Sequence, residues 1–194
     1  MRVVLFLFLL VPVCFPVMAE QPVEEVAKDS VVELDPSIVD QVANMIRFQM
    51  RKCPAKKISK NIEYRKAWAR DIVRVAQETD QPIPEHLFTM LLFRESTFRT
   101  NAVGAKGERG VGQVMDPGRY GCDQSTRIGQ LRCSANYLRS GYAKCGTWQG
   151  ALSHYQSSTA ACKPKPGTGH ESKVNFRVRK WVKLRRLFPI DNSS

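Results

Sequence analysis

Acidic residues are scarce in this chain, and what is missing narrows its chemistry before any motif is read. Only 18 Asp and Glu face 30 Lys and Arg, a formal net charge of +12, so the expected partner is acidic. The three histidines, His86, His154 and His170, form no His-Glu-x-x-His motif, and no two cysteines stand as Cys-x-x-Cys. Neither a catalytic nor a structural zinc site is therefore expected, and nothing implies another metal or a cofactor. Trp68 and Trp181 sit among basic residues but no groove-reading motif accompanies them, so nucleic acid is not an expected partner. There is no internal repeat and no alternating strand pattern. The apolar run from Val3 to Val13 is too short to span a bilayer comfortably, so no stable membrane span is expected.

That run follows Met1-Arg2 and precedes Pro16-Val17-Met18-Ala19, the layout of a signal peptide over residues 1–19. Cys14 lacks the small residues that precede a lipid-modified cysteine, so the mature chain is expected to be periplasmic or secreted without an anchor. Export favours disulfides. Of the five cysteines left, Cys122, Cys133, Cys145 and Cys162 are expected to make two bridges, with Cys53 in the odd count and the connectivity open. Export also makes an anionic wall polymer or a membrane surface a better partner than nucleic acid.

A hydrophobic content of 43% over 194 residues suits one core. Residues Glu20 to Glu33 are acidic and weakly patterned, and are expected to form a flexible lead. Asp35-Pro36 starts a helix with Ile38, Val42, Met45 and Ile46 on one side, ending before Cys53-Pro54. Asn61 or Ser59 caps a second, with Ile62, Trp68, Ile72, Val75 and Ala76 as its stripe. Its Arg65, Lys66, Arg70 and Arg74 are expected on a solvated surface. Pro84 opens a short core helix, apolar on most sides, that runs into Glu95. Leu131, Ala135, Leu138 and Tyr142 mark a helix expected to stop near Gly141, and Trp148, Ala151, Leu152 and Tyr155 mark another. Val174, Val178, Trp181, Leu184 and Phe188 line a basic terminal helix, expected to turn its Arg and Lys outward.

The chemistry concentrates between Glu95 and Met115. Glu95 follows Leu91 and Leu92 at helical spacings of four and three, which places its carboxyl group on their buried side at a helix end. Desolvation and the negative end of the helix dipole both disfavour the ionised form there, a setting in which a carboxyl group can serve as general acid. Gly104, Gly107, Gly110 and Gly112 then recur in a loop that can bring backbone close to a ligand.

These residues resemble the soluble lytic transglycosylase family. Its signature has Glu-Ser, an aromatic three after the Glu, Ala, Ser, Gly-Ala, Gly-Leu-Met-Gln and a hydrophobic-Met-Pro. The corresponding slots hold Glu95-Ser96, Phe98, Ala102, Gly104, Gly107, Gly110-Val111-Gly112-Gln113 and Val114-Met115-Asp116. A later family element, Ala-Leu-x-x-Tyr-Asn-Ala-Gly, is similar to Ala151-Leu152-Ser153-His154-Tyr155-Gln156-Ser157-Ser158. The resemblance implies an all-α, lysozyme-like catalytic domain over residues 81–194, with an additional helical region over 20–80 packing on it. It also implies cleavage of the bond between N-acetylmuramic acid and N-acetylglucosamine in peptidoglycan glycan strands, in a cell-wall setting that can include an envelope-spanning assembly. Glu95 would be the single acid and base, with no cofactor. Ser96, Gln113 and Met115 would bind sugar, and Tyr155 would approach Glu95 with its hydroxyl or hold the acetamido group.

Several positions depart from that pattern. Gly104 replaces the family serine, Gly112 the methionine, Asp116 the proline, and Gln156-Ser157-Ser158 the Asn-Ala-Gly. Glu108 stands in an alanine slot, and it or Asp116 is a candidate second carboxylate that could orient water, as in a lysozyme-like hydrolase. A non-catalytic peptidoglycan-binding assembly protein is the third expectation.

Overall fold

The computed structural model describes residues 33–53, 57–115, 120, 122–157 and 161–190. The signal peptide read over residues 1–19, most of the acidic lead, and Asp116 lie outside them. Among the described residues the fold is all-α: α1 (Pro36–Met50), α2 (Lys57–Lys60), α3 (Ile62–Gln77), α4 (Glu85–Ser96), α5 (Arg127–Cys145), α6 (Trp148–Gln156) and α7 (Gly169–Leu187). The β-type pairing among them is two isolated bridges in the loop after α4, Val103 with Arg109 and Arg109 with Val114. No helix among them is long and apolar enough to cross a membrane.

Local sequence explains most boundaries. The Asp35 side chain accepts the Ser37 amide at 2.7 Å with Pro36 in the first turn, and Asn61, not Ser59, caps α3 by accepting the Tyr64 amide at 2.9 Å. Three expectations are corrected. Ile62 is 54% exposed, like its neighbours Asn61 and Glu63, because the first turn of α3 projects past the core. Arg65 is buried instead of solvated, donating to the Ile58 carbonyl at 3.4 Å, and burial pushes its pKa down. α5 runs through Gly141 to Cys145 and stops at Gly146, whose left-handed backbone (φ 69°) lets its amide bond the Tyr142 carbonyl at 2.7 Å. Gly141 serves close packing: a Cβ there would stand 3.1 Å from the Ala151 Cα of α6.

α4 is the central element. Leu87, Phe88, Met90, Leu91 and Leu92 are fully buried, and α1, α3 and α7 pack around it. A helix apolar on nearly all sides has no other stable location in water. α7 crosses it antiparallel: His86 at the start of α4 donates to the Phe188 carbonyl at 2.5 Å, while Glu95 at its other end meets Arg177. Arg139 of α5 donates to the Val75 and Ala76 carbonyls at 2.8 and 3.1 Å, satisfying acceptors that the end of α3 leaves open.

Cys122–Cys133 and Cys145–Cys162 form the two bridges, with Cα separations of 5.2 and 5.3 Å, and Cys53 is a half-buried free thiol. The first ties the segment before α5 onto that helix, and the second ties the segment after α6 back to the end of α5. Both fit an oxidising compartment. Their spans of 11 and 17 residues lead us to expect a loss of about 3 kcal/mol per bridge on reduction, read by urea unfolding with and without reductant. A reduced protein as stable as the oxidised one would contradict this.

Candidate active site

α4 ends abruptly, and the way it ends presents Glu95. Thr97 and Phe98 both have left-handed backbones (φ 54° and 58°), uncommon for residues with side chains. The strain is held by packing and hydrogen bonds. The Phe98 ring is buried 5.7 Å from Trp68 and 6.1 Å from Phe93, and the Ser96 hydroxyl accepts the Arg99 amide at 3.0 Å. Arg99 Nε returns to the Ser96 carbonyl at 2.9 Å. The expectation that Ser96 binds sugar is therefore corrected: its side chain is buried in the turn that it stabilises and does not line the cleft.

The carboxyl group of Glu95 is mostly buried, as its helical position indicates, but it is not alone. Arg177 Nη1 donates to Glu95 Oε1 at 2.5 Å, the two side chains being 11% and 13% exposed. Gln156 Nε2 donates to the same oxygen at 3.3 Å. Arg177 comes from α7, whose cations were expected to face outward. It lies three residues after Val174, four before Trp181 and seven before Leu184, so a charge inside the apolar stripe was the signal for it. Gln156, read from the sequence as part of a degraded motif, also reaches the carboxylate.

Glu95 opens onto a cleft of about 900 Å3. The loop after α4 supplies Gly104, Glu108, Gln113 and Met115 to its wall, and α5 and α6 supply Tyr137, Tyr155 and Gln156. Gln113, itself at φ 53°, donates through Nε2 to the Gly110 and Ala102 carbonyls at 2.9 and 3.2 Å, which folds the loop over its own amide. Met115 stands 62% exposed on the rim. Glu108 Oε2 accepts the Lys106 amide at 2.8 Å, and backbone hydrogen bonds from its own amide and that of Lys106 hold its carboxyl below the usual range.

Gly104 and Gly112 each leave little room for a side chain. A Cβ at Gly104 would collide with the Glu108 carboxylate and come within 2.8 Å of Gln113 Oε1. A Cβ at Gly112 would collide with Ser134 Oγ and stand 2.9 Å from the Tyr155 hydroxyl oxygen. The reason is visible in Tyr155 itself, which donates to the Gly112 carbonyl at 2.6 Å while its ring packs 4.6 Å from Tyr137. Its hydroxyl fastens the loop to α6. Burial first, and the Glu95 charge second, push its pKa well above the usual tyrosine value, so it is a neutral donor.

Glu95, Glu108, Gln113, Met115 and Tyr155 thus line one cleft, whereas Ser96 lies outside it. The described residues hold no group of His, Cys, Asp and Glu suited to a metal ion.

Replacing Arg177 by Met should cost about 3–5 kcal/mol in chemical denaturation, because it strands a buried carboxylate, and adding Glu95→Gln should recover part of the loss. Additive losses would show that the pair is not coupled. Tyr155 has its folded pKa raised, so its contribution is complete below the unfolded value near 10 and declines as pH rises beyond it. Tyr155→Phe should accordingly flatten the fall in stability between about pH 10 and 11, and an unchanged slope would refute the assignment. No protein-family model, curated protein or solved structure matches the chain.

Proposed function

We propose that this chain is a lytic transglycosylase with a lysozyme-like catalytic domain, cleaving the glycosidic bond between N-acetylmuramic acid and N-acetylglucosamine in peptidoglycan. The observation that carries the reading is the placement of Glu95: a mostly buried carboxyl group at the end of the core helix, open to a cleft large enough for sugar rings. Both of its recorded partners engage Oε1, so Oε2 is the oxygen available to the substrate. The forward step runs from the protonated form of Glu95, with the proton on Oε2: the acid gives that proton to the glycosidic oxygen, and the bond to the muramoyl anomeric carbon breaks. The Arg177 guanidinium offsets the negative charge that develops on Glu95 as the proton leaves. The carboxylate then takes the proton of the muramoyl 6-hydroxyl, whose oxygen bonds the anomeric carbon and closes a 1,6-anhydro ring. One carboxyl group suffices because the attacking oxygen belongs to the substrate, whereas a hydrolase positions water with a second.

A second reading has its own support. Glu108 lines the same cleft with its carboxyl held ionised, so it is equipped to orient a water and make the reaction a hydrolysis. Products separate the two. Purified peptidoglycan sacculi digested by the wild type should release fragments ending in anhydromuramic acid, identified by mass spectrometry, and Glu95→Gln should release them about a thousandfold more slowly. Reducing ends in place of anhydro ends would establish the hydrolase. Equal release by both proteins would remove Glu95 from its role, and retained binding without release by either would point to a wall-binding assembly protein.

A further inference from the structure

A second concavity, of about 290 Å3, lies where the end of α1 meets α4 and α7. Every charged residue that lines it is a cation: Arg51 and Lys52 after α1, Arg94 on α4, Lys180 and Lys183 on α7. Two phenylalanines organise them. The Phe48 ring holds Arg51 at 4.2 Å and Lys183 at 5.9 Å, and the Phe176 ring holds Arg94 at 4.9 Å and Lys180 at 5.1 Å. Each ring thus draws together cations from two different elements. None of the four ion pairs among the described residues uses any of the five.

A basic face is ordinarily a solvated one, and part of this cluster has that explanation. Arg51, Lys52 and Arg94 stand at helix C-terminal ends, where exposed carbonyls favour positive charge. Lys180 and Lys183 have no such compensation. They sit within α7 in one row with Phe176, four and seven residues on, and point into a concavity where three other cations already converge. Like charges gathered on a concave surface focus a positive potential and lower the cost of taking up an anion.

We infer that this groove binds a compact, multiply charged phosphate group, either a phosphate monoester or a diphosphate. A phosphate monoester carries nearly two negative charges at neutral pH on one tetrahedral centre, and Arg51 and Arg94 can each present two donors to it. A single carboxylate brings one charge and would leave most of the cluster uncompensated. The ring centres are occupied as seats for cations, so the site is built for charge and not for stacking a planar base. The groove is lined by different residues from the Glu95 cleft, so the inference stands whichever reaction that cleft performs.

The group can come from a soluble ligand or from a lipid headgroup, and the full chain can be tested against both. Inorganic diphosphate is titrated by calorimetry at low salt, and sedimentation is measured with vesicles of zwitterionic phospholipid with or without one-quarter phosphatidic acid. Saturable binding of diphosphate at one site per chain identifies a soluble source, and sedimentation only with the acidic vesicles identifies a lipid. In either case the double variant Lys180→Gln, Lys183→Gln should bind at least about tenfold more weakly, since two charge-assisted bonds are lost. Lys163→Gln, Lys165→Gln removes the same charge from an exposed loop and should bind as the wild type does. No saturable binding of either probe, or equal weakening in the two double variants, overturns the proposal.

Discussion

A carboxylate that leaves water at the end of a core helix needs a counter-charge, and in this chain that requirement fixes the relation between two helices. Glu95 meets Arg177 at 2.5 Å with both side chains largely buried, so α7 cannot rotate or slide along α4 without exposing one charge and stranding the other. The His86 contact with the Phe188 carbonyl holds the far end of the same seam. Between the two, Leu184 contributes apolar burial that is indifferent to small shifts in register. The ionic and hydrogen-bonded contacts supply what burial cannot, a single arrangement, and the same pair that sets the arrangement orients the carboxyl group facing the cleft.

The cleft is built on that seam by a loop with little regular structure of its own. Its shape comes from backbone in left-handed conformations at Thr97, Phe98 and Gln113, from the Gln113 amide, and from the Tyr155 hydroxyl on the Gly112 carbonyl. The disulfides act on α5, one within the helix at Cys133 and one at its end at Cys145. A helical scaffold, a hydrogen-bonded loop and two covalent ties thus surround the Glu95 carboxyl group. A ligand entering the cleft would meet surfaces already in place, which lowers the entropic cost of ordering them on binding.

Much of this architecture was legible because it follows from period and punctuation. Asp35, Asn61 and the apolar stripes of α1, α3 and α6 announce themselves, and Glu95 is placed by its spacing from Leu91 and Leu92 alone. What was not legible depends on a partner distant in sequence. Gly141 has the look of a helix stop until Ala151 packs against it, and Arg65 and Arg177 read as solvated until Ile58 and Glu95 come to meet them. Tyr155 is the subtler case. It lines the cleft, but the use of its hydroxyl depends on where the Gly112 carbonyl falls, and spacing along a helix carries no such information.

Gly104 and Glu108 show how such dependence couples two positions of one loop. The Glu108 carboxylate, the far end of a flexible side chain, stands where a side chain at position 104 would begin, so only one of the two can hold that volume at a time. A side chain introduced at 104 would turn the Glu108 carboxylate aside and break its bond to the Lys106 amide. The volume at position 104 thus governs where the negative charge of Glu108 sits in the cleft, so a substitution that adds no charge can still alter the electrostatics of the site.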